Sequence, residues 1–144
     1  MNERPGFEEV AELLRAAGAD KLPGHLDLEL VEIAEGTAEM RCELKPFHSA
    51  PNGYLHAASI IALADTCAGY GCVGNFPEGA TGFTTIELKT NFFGTLMEGA
   101  LHATAKMVHG GKTTQVWDAE VKAEATGKTL ALFRCTQLIL YPRP

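Results

Sequence analysis

Residues Pro46–Pro77 read PFHSAPNGYLHAASIIALADTCAGYGCVGNFP, and across that stretch a single side chain is formally charged, Asp65. Its middle, His56 to Val73, is built mostly of Ala, Ile, Leu, Cys and Gly, with no proline and no polar face. A helix apolar on every side belongs in the centre of a fold. One carboxylate in such a helix is costly unless it is paired, hydrogen-bonded or used in chemistry. That makes Asp65 the leading functional candidate. The competing reading, a structural acid capping a neighbouring segment, fits its solitude less well. Pro51-Asn52-Gly53 is a strong turn signal ahead of the helix, and Gly69, Gly71 and Gly74 lead out of it before Pro77.

On either side of this helix the hydrophobic periodicity changes. Phe7, Val10, Ala11, Leu13, Leu14 and Ala17 recur at helical spacing, with Pro5 near the first turn and Gly18 past the last. Leu26 to Ala34 reads as a strand, Glu35-Gly36 as a turn, and Thr37 to Leu44 alternates Thr37, Glu39, Arg41 and Glu43 against Ala38, Met40, Cys42 and Leu44. After the helix, Gly82 to Phe93 alternates Thr84, Ile86 and Leu88 against Thr85, Glu87 and Lys89. Ala100 to His109 and Lys112 to Glu124 form a hairpin about Gly110-Gly111, with Gln115, Trp117, Ala119, Val121 and Ala123 on one face. Thr129 to Leu140 is an apolar last strand ended by Pro142. The order is helix, two strands, buried helix, four strands, without repeat or linker. It predicts one α+β domain over residues 1–144, with 1–25 as N-terminal helix and lead-in, and an antiparallel sheet wrapped around the central apolar helix.

The whole-chain properties narrow the function classes. The chain has 144 residues, 46% hydrophobic and 21% charged, which fits an ordinary soluble globular domain. A net charge of −6 argues against a general nucleic-acid or membrane-surface binder. The acidic start MNERPGFEEVAELL lacks the basic and apolar regions of an export signal, and Asp65 and the glycines make the apolar run a buried helix rather than a membrane span. Cys42, Cys67, Cys72 and Cys135 sit in apolar segments without metal-ligand or CxxC spacing, as reduced core cysteines of a cytoplasmic protein do. His48, His102 and His109 with the scattered acids form no metal-ligand pattern.

With these elements in this order, residues 26–140 resemble the hot-dog fold, and more narrowly the PaaI-type acyl-CoA thioesterases. That family carries a G-x-x-HGG stretch leading into its central helix and an acidic residue eight positions after the first glycine of HGG. Gly53-Tyr54-Leu55-His56-Ala57-Ala58 stands in that place, and Ala57 to Asp65 is the same step. Thr85-Ile86-Glu87-Leu88 matches the family's T-x-E-L strand, and Gly110-Gly111-Lys112-Thr113 its hairpin before the fifth strand. Two departures stand out. HGG is HAA here, and Ala50 occupies the position six residues before the His where the family has an active-site Asn or Gln. Asn52 is then the replacement candidate, set against a plain turn role.

The resemblance implies hydrolysis of an acyl-CoA thioester to the free acid and CoA, with no cofactor, since coenzyme A is part of the substrate. Asp65 would be general base or nucleophile, held ionised by a partner such as Thr85 or a backbone N–H. The first-turn N–H of Ala57 would stabilise the oxyanion, aided by the helix dipole. His56 would position the helix start, and Tyr54, Ala58, Phe92 and Lys112 would contact substrate, with Lys106 and Arg134 as further candidates for the coenzyme A phosphates. Tyr54, Tyr70, Phe83 and Phe92 near the apolar helix suit an aryl or a medium-chain acyl group equally, with Phe93 beside Phe92 as core or acyl-pocket lining. Eight helical residues rise about 12 Å, so Ala57 and Asp65 of one chain cannot reach the same thioester carbon. On this reading a homodimer with shared sites follows, alone or within a tetramer. A hot-dog hydratase or dehydratase is the first alternative; it wants a His paired with an acid, which the family's positions do not supply. A non-catalytic acyl-CoA binding module is the second.

Overall fold

The computed structural model describes residues 4–144. Helix α1 (Phe7–Gly18) and a single-turn helix α2 (Leu22–His25) precede a hairpin of β1 (Glu29–Ala34) and β2 (Thr37–Glu43). A 3₁₀ turn, Pro46–His48, leads to the central helix α3 (Ala57–Gly74), followed by β3 (Gly82–Phe92), β4 (Ala100–Gly110), β5 (Thr114–Ala123) and β6 (Thr129–Leu140). The six strands form one antiparallel sheet in the order β1-β2-β4-β5-β6-β3. α3 touches every strand. This is the α+β hot-dog arrangement, a sheet around one apolar helix.

The sequence pattern explains the packing. Along β5, Gln115, Trp117, Ala119, Val121 and Ala123 alternate strictly inward, as do Phe133, Cys135, Gln137 and Ile139 along β6. Small residues let α3 lie close to this face: a Cβ on Gly71 would stand 2.7 Å from the Trp117 ring, and one on Gly69 3.1 Å from Phe83. α3 has the length and hydropathy of a membrane span, but Leu63, Ala64, Cys67, Ala68 and Cys72 are buried against the sheet, as in a core helix. All four cysteines are free and buried.

Two expectations need correcting, and one element goes unpredicted. The segment read as a strand from Leu26 is strand only from Glu29, because Pro23 at the start of α2 and the positive φ of Asp27 first turn the chain. The 3₁₀ turn at Pro46 also goes unseen in the sequence pattern. In β3 the simple alternation fails. A bulge at Ile86 lets Thr85 pair with Gln137, Glu87 with Thr136 and Leu88 with Cys135. Thr85 and Leu88 therefore share the inner face, while Ile86 is 59% exposed.

Candidate active site

The start of α3 is held from behind by His48, which is 1% exposed. Its Nδ1 accepts from the Lys45 N–H at 2.9 Å and its Nε2 bonds the Leu26 carbonyl at 2.7 Å, with the Cys42 sulfur at 3.4 Å. Those partners require a neutral ring protonated on Nε2. The His48 carbonyl in turn accepts from the His56 N–H at 3.0 Å and from the Ser59 hydroxyl at 2.8 Å. The loop before α3 is thus pinned at its first turn. Asn52 Oδ1 accepts from the Tyr54 N–H at 3.1 Å, closing the turn in which Gly53 has φ +88°. Asn52 has the geometry of a turn residue.

His56 caps the helix. Its Nδ1 accepts the Ala58 N–H at 2.9 Å and its carbonyl accepts the Ser59 N–H at 2.9 Å. Among the described residues the Ala57 N–H finds no acceptor, so it is the free donor at the positive end of α3. His56, Ala57 and Ala58 are all exposed. Tyr54 stands beside them, 57% exposed.

Asp65 lies two turns further on, against β6. Its Oδ1 is buried without any hydrogen-bond partner, and burial raises its pKa above the usual carboxylate value. The expected Thr85 partner is not made: the Thr85 hydroxyl donates to Gln137 Oε1 at 2.7 Å. Gln137 Nε2 donates to Cys135 Sγ at 3.4 Å. Burial and the nearby Asp65 charge push the Cys135 thiol up to about 12, so it is neutral at physiological pH. Gln137 was not among the residues the sequence singled out. Its signal was a lone amide in the apolar run Thr129 to Leu140.

The remaining candidates are spread out. Phe92 and Phe93 are exposed along and just past the free edge of β3, and Phe83 packs between Gly69 and Phe76. The Lys112 side chain is exposed at the β4–β5 hairpin, where its carbonyl accepts the Tyr141 hydroxyl. Arg134 is held by Asp118 through two bonds of 2.5 and 2.8 Å on the outer face of the sheet, and Lys106 lines the same outer groove. Tyr70 is turned toward α1, its hydroxyl 2.6 Å from where a Gly18 Cβ would be. A groove of about 1000 Å³ runs between α1 and residues 76–81 and includes neither Asp65 nor Ala57. Among the described residues no group of three His, Cys, Asp or Glu side chains converges to hold a metal ion.

Comparison with known proteins agrees with this geometry. The thioesterase superfamily profile matches residues 52–130, from the turn before α3 to the start of β6. A 1,4-dihydroxy-2-naphthoyl-CoA hydrolase of Listeria monocytogenes is 32% identical over 111 residues, 77% of this chain and 89% of that protein. Acyl-coenzyme A thioesterase PaaI of Escherichia coli is 30% identical over 110 residues, 76% of this chain and 75% of that protein. The solved structure of the E. coli PaaI protein from the phenylacetic acid degradation operon superposes with a TM-score of 0.80, covering 94% of this chain and 96% of that one. Its 23% identity speaks for the fold alone. An acid on the central helix, a capped helix start with a free amide and a profile match over more than half the chain converge on one assignment: the chain belongs to the thioesterase superfamily and, within it, to the PaaI-type hot-dog enzymes.

Proposed function

We propose that the protein hydrolyses an acyl-CoA thioester to the free acid and CoA. The observation that carries this is the Asp65 carboxylate, whose Oδ1 is buried without a partner, a costly arrangement for folding and a suitable one for a base. Asp65 acts on water or on the thioester carbonyl carbon. The Ala57 N–H of the partner subunit stabilises the developing oxyanion, and the His56 cap supports it by removing the Ala58 N–H from competition.

The pairing of subunits is supported by the contrast between the two sheet edges. β1 is short and bulged, and Arg15 donates to the Leu30 and Val31 carbonyls at 3.1 Å each, which blocks that edge. β3 is eleven residues long and exposes Ile86, Leu88 and Phe92, an edge suited to pairing with a second copy of itself. A dimer formed there brings a second α3 start toward Asp65. Tyr54, Phe92 and Lys112 are the substrate contacts of this reading.

The acyl-CoA assignment draws support from the relatives named for acyl-CoA hydrolysis. A hydratase role is disfavoured by the commitment of His56 Nδ1 to the helix cap and by the nine-residue separation from Asp65. The test is thiol release from a panel of aryl-, short- and medium-chain acyl-CoAs, with Asp65→Asn as control. Release that depends on Asp65 is expected. Hydration of an enoyl-CoA without thiol release, or release indifferent to Asp65→Asn, would reject the proposal.

A further inference from the structure

His48 is a buried side chain that the hydrolytic chemistry leaves unused, and it stands at the base of a loop tied mainly to itself. Within residues 48–56 the Ala50 N–H bonds the Tyr54 carbonyl at 2.7 Å and the Gly53 N–H bonds the Ala50 carbonyl at 2.8 Å. Ser49 bridges Leu55, and the His56 N–H returns to the His48 carbonyl at 3.0 Å. Asn52 closes the tip. These bonds fix the shape of the loop and not its direction, because both ends of each lie inside it. Leu55 packs on the core, and apolar contact is non-directional.

Beyond the short-range bonds of the 3₁₀ turn, direction comes from the His48 ring. Nδ1 takes the N–H of Lys45, just past β2, and Nε2 gives its hydrogen to the carbonyl of Leu26, in the lead-in to β1. That lead-in is itself braced. The Lys45 ammonium bonds the Asp27 carboxylate, and the Cys42 thiol reaches the same Leu26 carbonyl at 3.8 Å. On the opposite side, the His48 carbonyl accepts from the His56 N–H and the Ser59 hydroxyl, which flank Ala57 and Ala58. The loop cannot swing about its base without breaking bonds at the ring or at the first turn of α3, and buried partners left unpaired are costly.

We propose that His48 is a positioning residue: its neutral ring, anchored to Leu26 and Lys45, sets the direction of the unpaired Ala57 N–H through the His48 carbonyl. This rests on the hydrolytic reading, in which that N–H meets the oxyanion, and extends the site to a residue outside it. At 1% exposed, the ring itself meets no substrate. An oxyanion donor counts only when aimed at the place where charge develops, and a misplacement of about 1 Å can cost about 10²-fold in rate.

The test is a double-mutant cycle of His48→Leu with Ala57→Pro in thiol release, joined to amide hydrogen exchange read by NMR, which needs no turnover. His48→Leu is expected to lower kcat by about 10²-fold with KM little changed. His48→Gln, whose amide donates where the Nε2–H stands, is expected to restore most of that loss. In the Ala57→Pro background His48→Leu is expected to cost nothing further, because the donor it aims is already gone. Exchange at the His56 and Ser59 amides should quicken by at least about tenfold in His48→Leu, while residues 64–68 in the buried middle of α3 keep their rates. A His48→Leu loss of the same size with and without the Ala57 N–H overturns the proposal. So does exchange that is unmoved at residues 56–59 or quickened equally along α3. If the wild type releases no thiol, hydrolysis is rejected, and the exchange pattern still decides whether His48 fixes the helix start. If His48→Leu does not fold, His48→Asn keeps an acceptor for the Lys45 N–H, drops only the Leu26 bond and is judged by the same outcomes.

Discussion

Proline at position 57 removes one hydrogen and little else, which makes Ala57→Pro the sharpest probe of the shared site. Ala57 is the first residue of α3, where proline's fixed φ suits the helix and its missing N–H deprives no acceptor. His56 has φ −68° and ψ 132°, within the range that a following proline demands. No intramolecular hydrogen bond is lost, because the Ala57 N–H has no acceptor among the described residues. Stability should therefore change by less than about 0.5 kcal/mol. Activity should not survive so well: loss of one oxyanion donor typically costs about 10²–10³ in kcat, or about 3–4 kcal/mol of transition-state stabilisation.

Mixing then reports whether the donor and the acid come from different chains. Asp65→Asn should lose about 10²–10⁴ in rate. In a heterodimer of Asp65→Asn with Ala57→Pro, one site combines the intact acid of one chain with the intact amide of the other, and the second site lacks both. After subunit exchange of equal amounts, half the dimers are mixed and one of their two sites works. Thiol release should recover to about a quarter of the wild-type rate per chain, far above either parent. Exchange is checked by mass spectrometry of differently tagged chains. If mixed dimers form and activity stays at parental levels, the acid and the amide do not serve one site from two chains, and the shared-site mechanism is wrong. Full activity in Ala57→Pro alone would remove Ala57 as the oxyanion donor.

Other consequences follow from the same contacts. Because burial raises the Asp65 pKa, its ionisation destabilises the fold. That cost is absent below the unfolded carboxyl pKa and grows as pH rises through the folded one. Asp65→Asn should therefore be more stable than wild type at pH 7, by about 1–3 kcal/mol, with the difference fading in acid during urea titrations; equal stability at both pH values would contradict this. The acid limb of kcat/KM should fall above the usual carboxylate pKa of 3.8, as a pH–rate profile can read directly. Ile86→Lys at the bare β3 edge should give a 15.4 kDa monomer in sedimentation and abolish thiol release; an active monomer would refute the edge pairing. Gly71→Ala forces a methyl to 2.7 Å from the Trp117 ring and should lower stability by about 1–3 kcal/mol in denaturant melts.

Much of the fold was legible in the sequence because both periodicities were clean: the strict alternation on β5 and the all-apolar run of α3 match the observed burial. The misses share one physical origin. Periodicity describes a strand within its own chain, whereas the Ile86 bulge is set by pairing with β6, and that bulge decides which face Thr85 occupies. The Pro46–His48 turn is likewise held by a histidine whose partners, Leu26 and Cys42, come from elsewhere in the chain. Asp65 was conspicuous in the sequence as a charge without neighbours. Its missing hydrogen bond was not: the Thr85 hydroxyl is engaged by Gln137 across the β3–β6 pair, a contact that periodicity along one strand does not carry.

The arrangement also bears on why so apolar an edge is left bare. A protein protecting itself against aggregation blunts its edges, and this one does so at β1 with Arg15, itself held by Glu8 and Glu12. Among the described residues no side chain caps the β3 edge in the same way, which leaves its outer backbone groups open to pairing. On the shared-site reading the same stretch carries both needs. Leu88 packs opposite Cys135 above the acid, while Ile86 and Phe92 meet the second copy, so blocking the edge would also keep the partner's Ala57 N–H from Asp65. Stability of the single chain and completion of the site thus pull in opposite directions at β3. Mutations that solubilise the monomer there should consistently abolish turnover.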